Sequence, residues 1–228
     1  LVPIAKRRLR RLIPPLVVTA DPRGLTGKRE LTRDPIARVL AETIELGCEP
    51  AATLLGDPVL GPEAAAARVA GLLRLVETPG LAALSIDPAG LLPELGDPRD
   101  AGWSQDSAAV RAAELLAPVA ARAAELGVAV TLEAHSYRAA LLVPELAERL
   151  LAKVDGDLDL GITVLAQLPE SLGILEGYWD LARARAEAGK SPLHVRLTRG
   201  RIAAEEVAAA IVSGLSVPTL ETREAVDA

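Results

Sequence analysis

Along the chain, short apolar runs of strand length alternate with longer stretches in which apolar residues recur every three or four positions. Residues 51–57, 81–87, 128–134, 159–167 and 193–198 are of the first kind, and residues 62–77, 107–127, 137–153 and 169–189 of the second. A further helical run follows Gly200, with Ile202, Val207 and Ile211 at helical spacing and Glu205 and Glu206 near its start, where negative charge suits the helix dipole. A helix after every strand implies a parallel sheet, either a barrel or an open doubly wound sheet. Upstream, residues 16–20 read as a strand, and residues 34–46 as a helix with Asp34 at the N-cap and Pro35 at the first helical position. Pro144 is expected near the first turn of its helix, where a missing N–H is tolerated.

The clearest unit is LHVRLTRGRIAAEE, residues 193–206. His194, Arg196 and Thr198 alternate with Leu193, Val195 and Leu197, the period of a strand, and Gly200 breaks it before the helical run. This places Arg196, Thr198, Arg199 and Gly200 at the carboxyl end of a strand, where parallel α/β folds bind ligands.

Five complete strand–helix units fit between Ala51 and Val212, whereas an eight-unit barrel takes about 250 residues. The expectation is an α/β chain forming an incomplete (β/α)8 TIM-type barrel, a fragment of a longer protein. Residues 1–49 form a lead-in of helices and a short strand, and residues 50–228 the partial barrel. Within the lead-in, Lys6, Arg7, Arg8, Arg10 and Arg11 cluster among apolar residues before two prolines. That cluster reads either as the solvated face of a short helix or as an arm for a membrane surface or nucleic acid.

Composition narrows the picture. Half of the 228 residues are hydrophobic, enough for a sizeable core, and the formal net charge of -6 argues against nucleic acid as a partner. The lone Cys48 allows no intrachain disulfide and favours a cytoplasmic setting. With no Phe and 2% aromatics, the core is built from Leu, Val, Ile and Ala. No dinucleotide-binding or P-loop glycine motif follows a strand, and no His or Cys pair has metal-ligand spacing, so no metal is expected. What remains is a set of polar residues at strand ends: Asp57, Asp87, Glu133 with His135, Gln167, and Arg196 with Thr198. Glu133 and His135 point the same way if their strand continues, and His135 is either an acid or base near neutral pH or a loop-bracing side chain. A guanidinium on a barrel strand requires an acceptor to justify burial.

Three segments together resemble the proline dehydrogenase family, in particular the flavoprotein domain of bifunctional proline utilisation A. LLGDPVLG (54–61) is similar to its first barrel strand and exit, LGITVLAQLPESLGIL (160–175) to a strand ending at a flavin-contacting Gln, and SPLHVRLTRGRI (191–202) to the strand bearing a flavin-contacting Arg. The resemblance implies a barrel that binds FAD and oxidises L-proline to pyrroline-5-carboxylate, with electrons passed to a membrane quinone. It also implies an aldehyde dehydrogenase domain in the intact protein and a peripheral position at the inner face of the membrane. Its site would comprise Arg196, Gln167, Thr198 and Gly200 for the cofactor, with Glu133 and Leu197 at the substrate. The chain departs from the family where Asp87 stands for a Lys, Glu133 for an Asp, and Leu165 at the position that aligns with the flavin Gln, two residues before Gln167. Two other readings stay open: an inactive partial barrel serving as scaffold or oligomer interface through its unpaired edge, and a different barrel enzyme binding an anion at Arg196 and Arg199.

Overall fold

The computed structural model describes residues 34–54, 61–92 and 104–199, with 207, 208, 210, 211 and 219 beyond them. The predicted strand at 16–20, the basic cluster, Asp57 and Gly200 lie outside the described residues. Helix α1 is Asp34–Glu45, followed by β1 (Ala51–Thr53), α2 (Pro62–Val76), β2 (Ala83–Ile86) and a short 3-10 turn at Pro88–Gly90. Then come α3 (Gln105–Leu126), β3 (Ala129–Leu132), α4 (Tyr137–Lys153), β4 (Leu160–Leu165), α5 (Ser171–Glu187) and β5 (His194–Thr198). Positions 207, 208, 210 and 211 are helical, as the run after Gly200 predicts.

All strand pairs are parallel and the order is β1-β2-β3-β4-β5. This settles the choice left by the alternation, because a doubly wound sheet reverses its order at a switch point and this one does not. With the right-handed crossovers that are the rule between parallel strands, this order puts the connecting helices α2 to α5 on one side. The result is an incomplete (β/α)8 arc.

The two faces differ accordingly. Leu84, Ile86, Val130, Leu132, Leu160, Ile162 and Val164 are buried in the core shared with the helices. The opposite face begins with a row of small or polar residues in register, Thr53, Ser85, Thr131, Gly161 and His194. Gly161 makes the approach of β5 close there, since a Cβ would stand 3.2 Å from both the Cβ and the carbonyl oxygen of His194 and β5 would have to give by a few tenths of an ångström.

Helix α3 packs closely because its buried positions are mainly alanine: Ala108, Ala109, Ala112, Ala113, Ala120 and Ala123. Ser136 caps α4, its Oγ accepting from the Ala139 N–H at 3.1 Å, and Gly127 ends α3 in the left-handed region at φ 67°. Pro144 departs from expectation. It sits inside α4 rather than in its first turn, leaving the Ala140 carbonyl without its helical donor. Burial of Leu142, Val143, Leu146 and Leu150 holds the helix together across that defect.

At the amino-terminal end of the sheet, Asp157 clamps the entry to β5. It accepts from the Ser191 N–H at 3.0 Å, the Ser191 hydroxyl at 2.7 Å and Arg185 Nη2 at 3.1 Å, while Arg185 also donates to the Leu158 carbonyl at 3.0 Å. The Ser191 hydroxyl, then its N–H, holds the Asp157 carboxyl below its usual range. A depressed carboxylate stabilises the fold above its unfolded value and loses that contribution as pH falls through its folded value. Ser191→Ala is therefore expected to lower the melting temperature at neutral pH, with the deficit shrinking below about pH 4, measured by thermal melts across pH.

Candidate active site

The register that gives the sheet its two faces also assembles a cluster. Beyond the Ser85–Thr131–Gly161–His194 row, the next positions on the same face are Asp87 and Glu133, just past the carboxyl ends of β2 and β3, and Thr163 and Arg196, each two residues short of the carboxyl ends of β4 and β5. Glu133 lies one residue beyond β3 but stays in the ladder, its N–H donating to the Ile86 carbonyl at 2.8 Å. Thr163 and Arg196 are direct register partners.

Glu133 is the buried charge of this row. Arg196 Nη1 donates to its Oε1 at 2.6 Å, and the buried Thr163 hydroxyl donates to its Oε2 at 2.9 Å. A carboxylate in this position would be costly without such donors. The sequence led to the expectation that the guanidinium would be the buried partner. The structure reverses this: the Arg196 side chain is 51% exposed and that of Glu133 only 9%. One of the five Arg196 N–H donors is committed to Glu133, and its head is half exposed.

Asp87 continues β2 in extended conformation, and its Oδ1 accepts from the Ala89 N–H at 2.9 Å, capping the Pro88–Gly90 turn. Burial pushes its carboxyl above the usual range; the Ala89 N–H, His135 and Arg68 act against this, and Glu133 adds to it. The position where the family resemblance leads one to look for a lysine thus carries a partly buried acid facing Glu133.

The other predicted residues fall differently. Gln167 belongs to a turn after β4 and not to the strand, so strand alternation no longer fixes its direction. Leu165, two residues on from Thr163, is buried. Thr198 ends β5 in register with Leu165, and its carbonyl accepts from the Ala166 N–H at 2.7 Å. Leu197 alternates to the other face, in register with core residue Val164, and is 59% exposed. His135 is exposed. Beside the mouth, Tyr137 donates to Glu170 Oε1 at 2.8 Å, joining the segments that follow β3 and β4. Thr163 was not anticipated. Its signal was one hydroxyl in an otherwise apolar strand, LGITVL. Among the described residues no cluster of His, Cys, Asp and Glu has the makings of a metal site.

Two outcomes follow from this geometry. Arg196→Ala strips the buried Glu133 of its counter-charge and is expected to cost about 1–3 kcal/mol in denaturant unfolding, with Glu133→Gln in the same chain recovering part of the loss. Asp87→Asn keeps an acceptor for the Ala89 N–H while removing the charge. Because a raised carboxyl pKa weakens the folded state as pH climbs through it, this variant is expected to melt above the parent near pH 7 and level with it near about pH 3.

Comparison with known proteins places the chain in a family. The proline dehydrogenase family model matches residues 39–228. Among solved structures, proline utilization A (PutA) from Corynebacterium freiburgense shares 26% identity at a TM-score of 0.74, over 84% of this chain and 20% of that one. PutA from Bdellovibrio bacteriovorus, inactivated by N-propargylglycine, aligns at 22% identity and TM-score 0.69, over 86% of this chain and 22% of that one. A Bradyrhizobium japonicum PutA aligns at 20% identity and TM-score 0.63, over 82% and 20%. The last two bear on the fold alone. The chain spans about a fifth of the length of these solved relatives. No curated protein sequence matches it. A family model matching most of the residues, with a parallel sheet in barrel order behind it, establishes that this chain belongs to the proline dehydrogenase family.

Proposed function

We propose that the chain carries the flavin-facing part of a barrel that oxidises L-proline to pyrroline-5-carboxylate. The observation that supports this most is the Glu133–Thr163–Arg196 cluster, which fixes one guanidinium two residues short of the carboxyl end of β5, on the face opposite the helix-packed core and close to where barrels build their sites. The donor set suits FAD: Arg196 offers hydrogen bonds to the acceptor-rich edge of an isoalloxazine, and Thr198, Gln167 and Gly200 are the further cofactor residues that the family resemblance implies. FAD supplies the hydride acceptor, and the protein supplies orientation and electrostatics. Glu133 holds Arg196 in place and adds negative charge near the amine that becomes an imine. Leu197, on the opposite face of β5, is the member of the predicted set that the geometry supports least.

In this reading the electrons pass from the reduced flavin to a membrane quinone, with the protein peripheral at the inner membrane face. An aldehyde dehydrogenase domain in the intact protein would consume the product. Among the described residues no helix is long and apolar enough to cross a membrane.

A second reading, a catalytically inactive partial barrel acting as scaffold or interaction module, draws on two observations. Asp87 places an acid where the family carries a base, and the β5–α5 side leaves Val195, Leu197, Leu172 and Trp179 exposed. Absorbance separates the two. The purified full chain is expected to bind FAD, to show the visible bands of oxidised flavin and to bleach when L-proline is added. Arg196→Ala is expected to weaken FAD binding by about tenfold or more, the scale of one charge-assisted hydrogen bond. A colourless protein that takes up no FAD, and that associates through its exposed side in light scattering, would support the scaffold instead.

A further inference from the structure

The β4 strand is buried along its whole length, and apolar except at Thr163. A valine has nearly the same shape and would cost nothing in desolvation there, so the hydroxyl calls for an explanation. It faces the same side as Glu133 and Arg196, and its proton goes to Glu133 Oε2. With Oε1 taken by Arg196 Nη1, each oxygen of the carboxylate has a donor from a different strand, Thr163 on the adjacent β4 and Arg196 on β5 beyond it. Two such donors fix both the position of a carboxylate and the rotation of its plane, which a single ion pair does not.

We propose that Thr163 is a positioning residue. By locking the plane of the Glu133 carboxylate from β4, it sets the direction in which Arg196, on β5, presents its remaining N–H donors to an acceptor-bearing ligand at the mouth. The three side chains act as one unit across three strands, and Thr163 touches no ligand itself. The flanking charges do not substitute for it: Asp87 spends an oxygen on the Ala89 N–H, and His135 is exposed. Because Arg196 is half exposed, solvent competes for its donors, and only a fixed acceptor keeps its head in one orientation. The ligand named here, FAD, rests on the function proposed above. The positioning itself does not.

The test uses the full chain and Thr163→Val, Thr163→Ser, Glu133→Gln and the Thr163→Val/Glu133→Gln pair. Two quantities are read: FAD affinity by quenching of flavin fluorescence, and the guanidinium N–H resonances of Arg196 in the ligand-free protein. Valine is expected to weaken FAD binding by about tenfold and to broaden the Arg196 resonances, while serine, which keeps the hydroxyl, restores both. On the Glu133→Gln background, valine is expected to add little, because the effect runs through that carboxylate. The proposal is overturned if valine leaves the Arg196 resonances unchanged, if serine is as damaging as valine, or if the valine loss persists in full beside Glu133→Gln. Should the parent chain bind no FAD, the flavin reading fails and the Arg196 resonances alone decide the role of Thr163. If the valine variant does not fold, Thr163→Ala, which removes the hydroxyl without adding bulk, takes its place.

Discussion

A carboxylate withdrawn from water must be met by donors, and in this protein the need is satisfied across strands that are far apart in sequence. Glu133 reaches Thr163 thirty residues on and Arg196 sixty-three residues on. Neither contact forms unless β3, β4 and β5 lie parallel and in one particular register. A slip of one residue in β5 would turn Arg196 toward the helices and bring Leu197 or Val195 into its place. The polar row therefore depends on the fold, and it also disfavours the alternative registers.

The rest of the sheet supports that row. On the helix side, the buried leucines, isoleucines and valines of β2, β3 and β4 leave little freedom to slide. On the other side, Gly161 lets β5 approach where a side chain would meet the His194 backbone. Below, the Asp157 clamp fixes where β5 begins. Among the described residues no strand pairs with the far side of β5, which makes it the weak point of the sheet. Val195 and Leu197 are exposed there.

Much of this was legible in the residues. Alternation of short apolar runs with helical spacing identified each described strand and helix, and the Arg196 strand stood out because its period-two pattern ends at a glycine. The barrel order was not legible, since alternation alone serves doubly wound sheets equally well; only pairing decides it. Pro144 misled because local propensity argues for a helix start, while the buried face of α4 overrides it. Gln167 misled for the opposite reason: the chain turns at Ala166, and strand periodicity stops applying. Thr163 went unnoticed because threonine is an ordinary strand residue, and its partner is visible only once β3 and β4 are in register. For Arg196 the need for a partner was foreseen, but which member of the pair would be buried was not.

In the proposed function a fixed Arg196, held by Glu133, faces the ligand. A crystal structure of the chain grown with FAD tests it most directly. The account predicts the isoalloxazine within hydrogen-bond reach of the Arg196 guanidinium, with the Glu133 contact retained and the Thr163 hydroxyl still on the other oxygen. An Arg196 turned out to solvent with Glu133 bound elsewhere, or a flavin seated away from the carboxyl ends of β3 to β5, would contradict it.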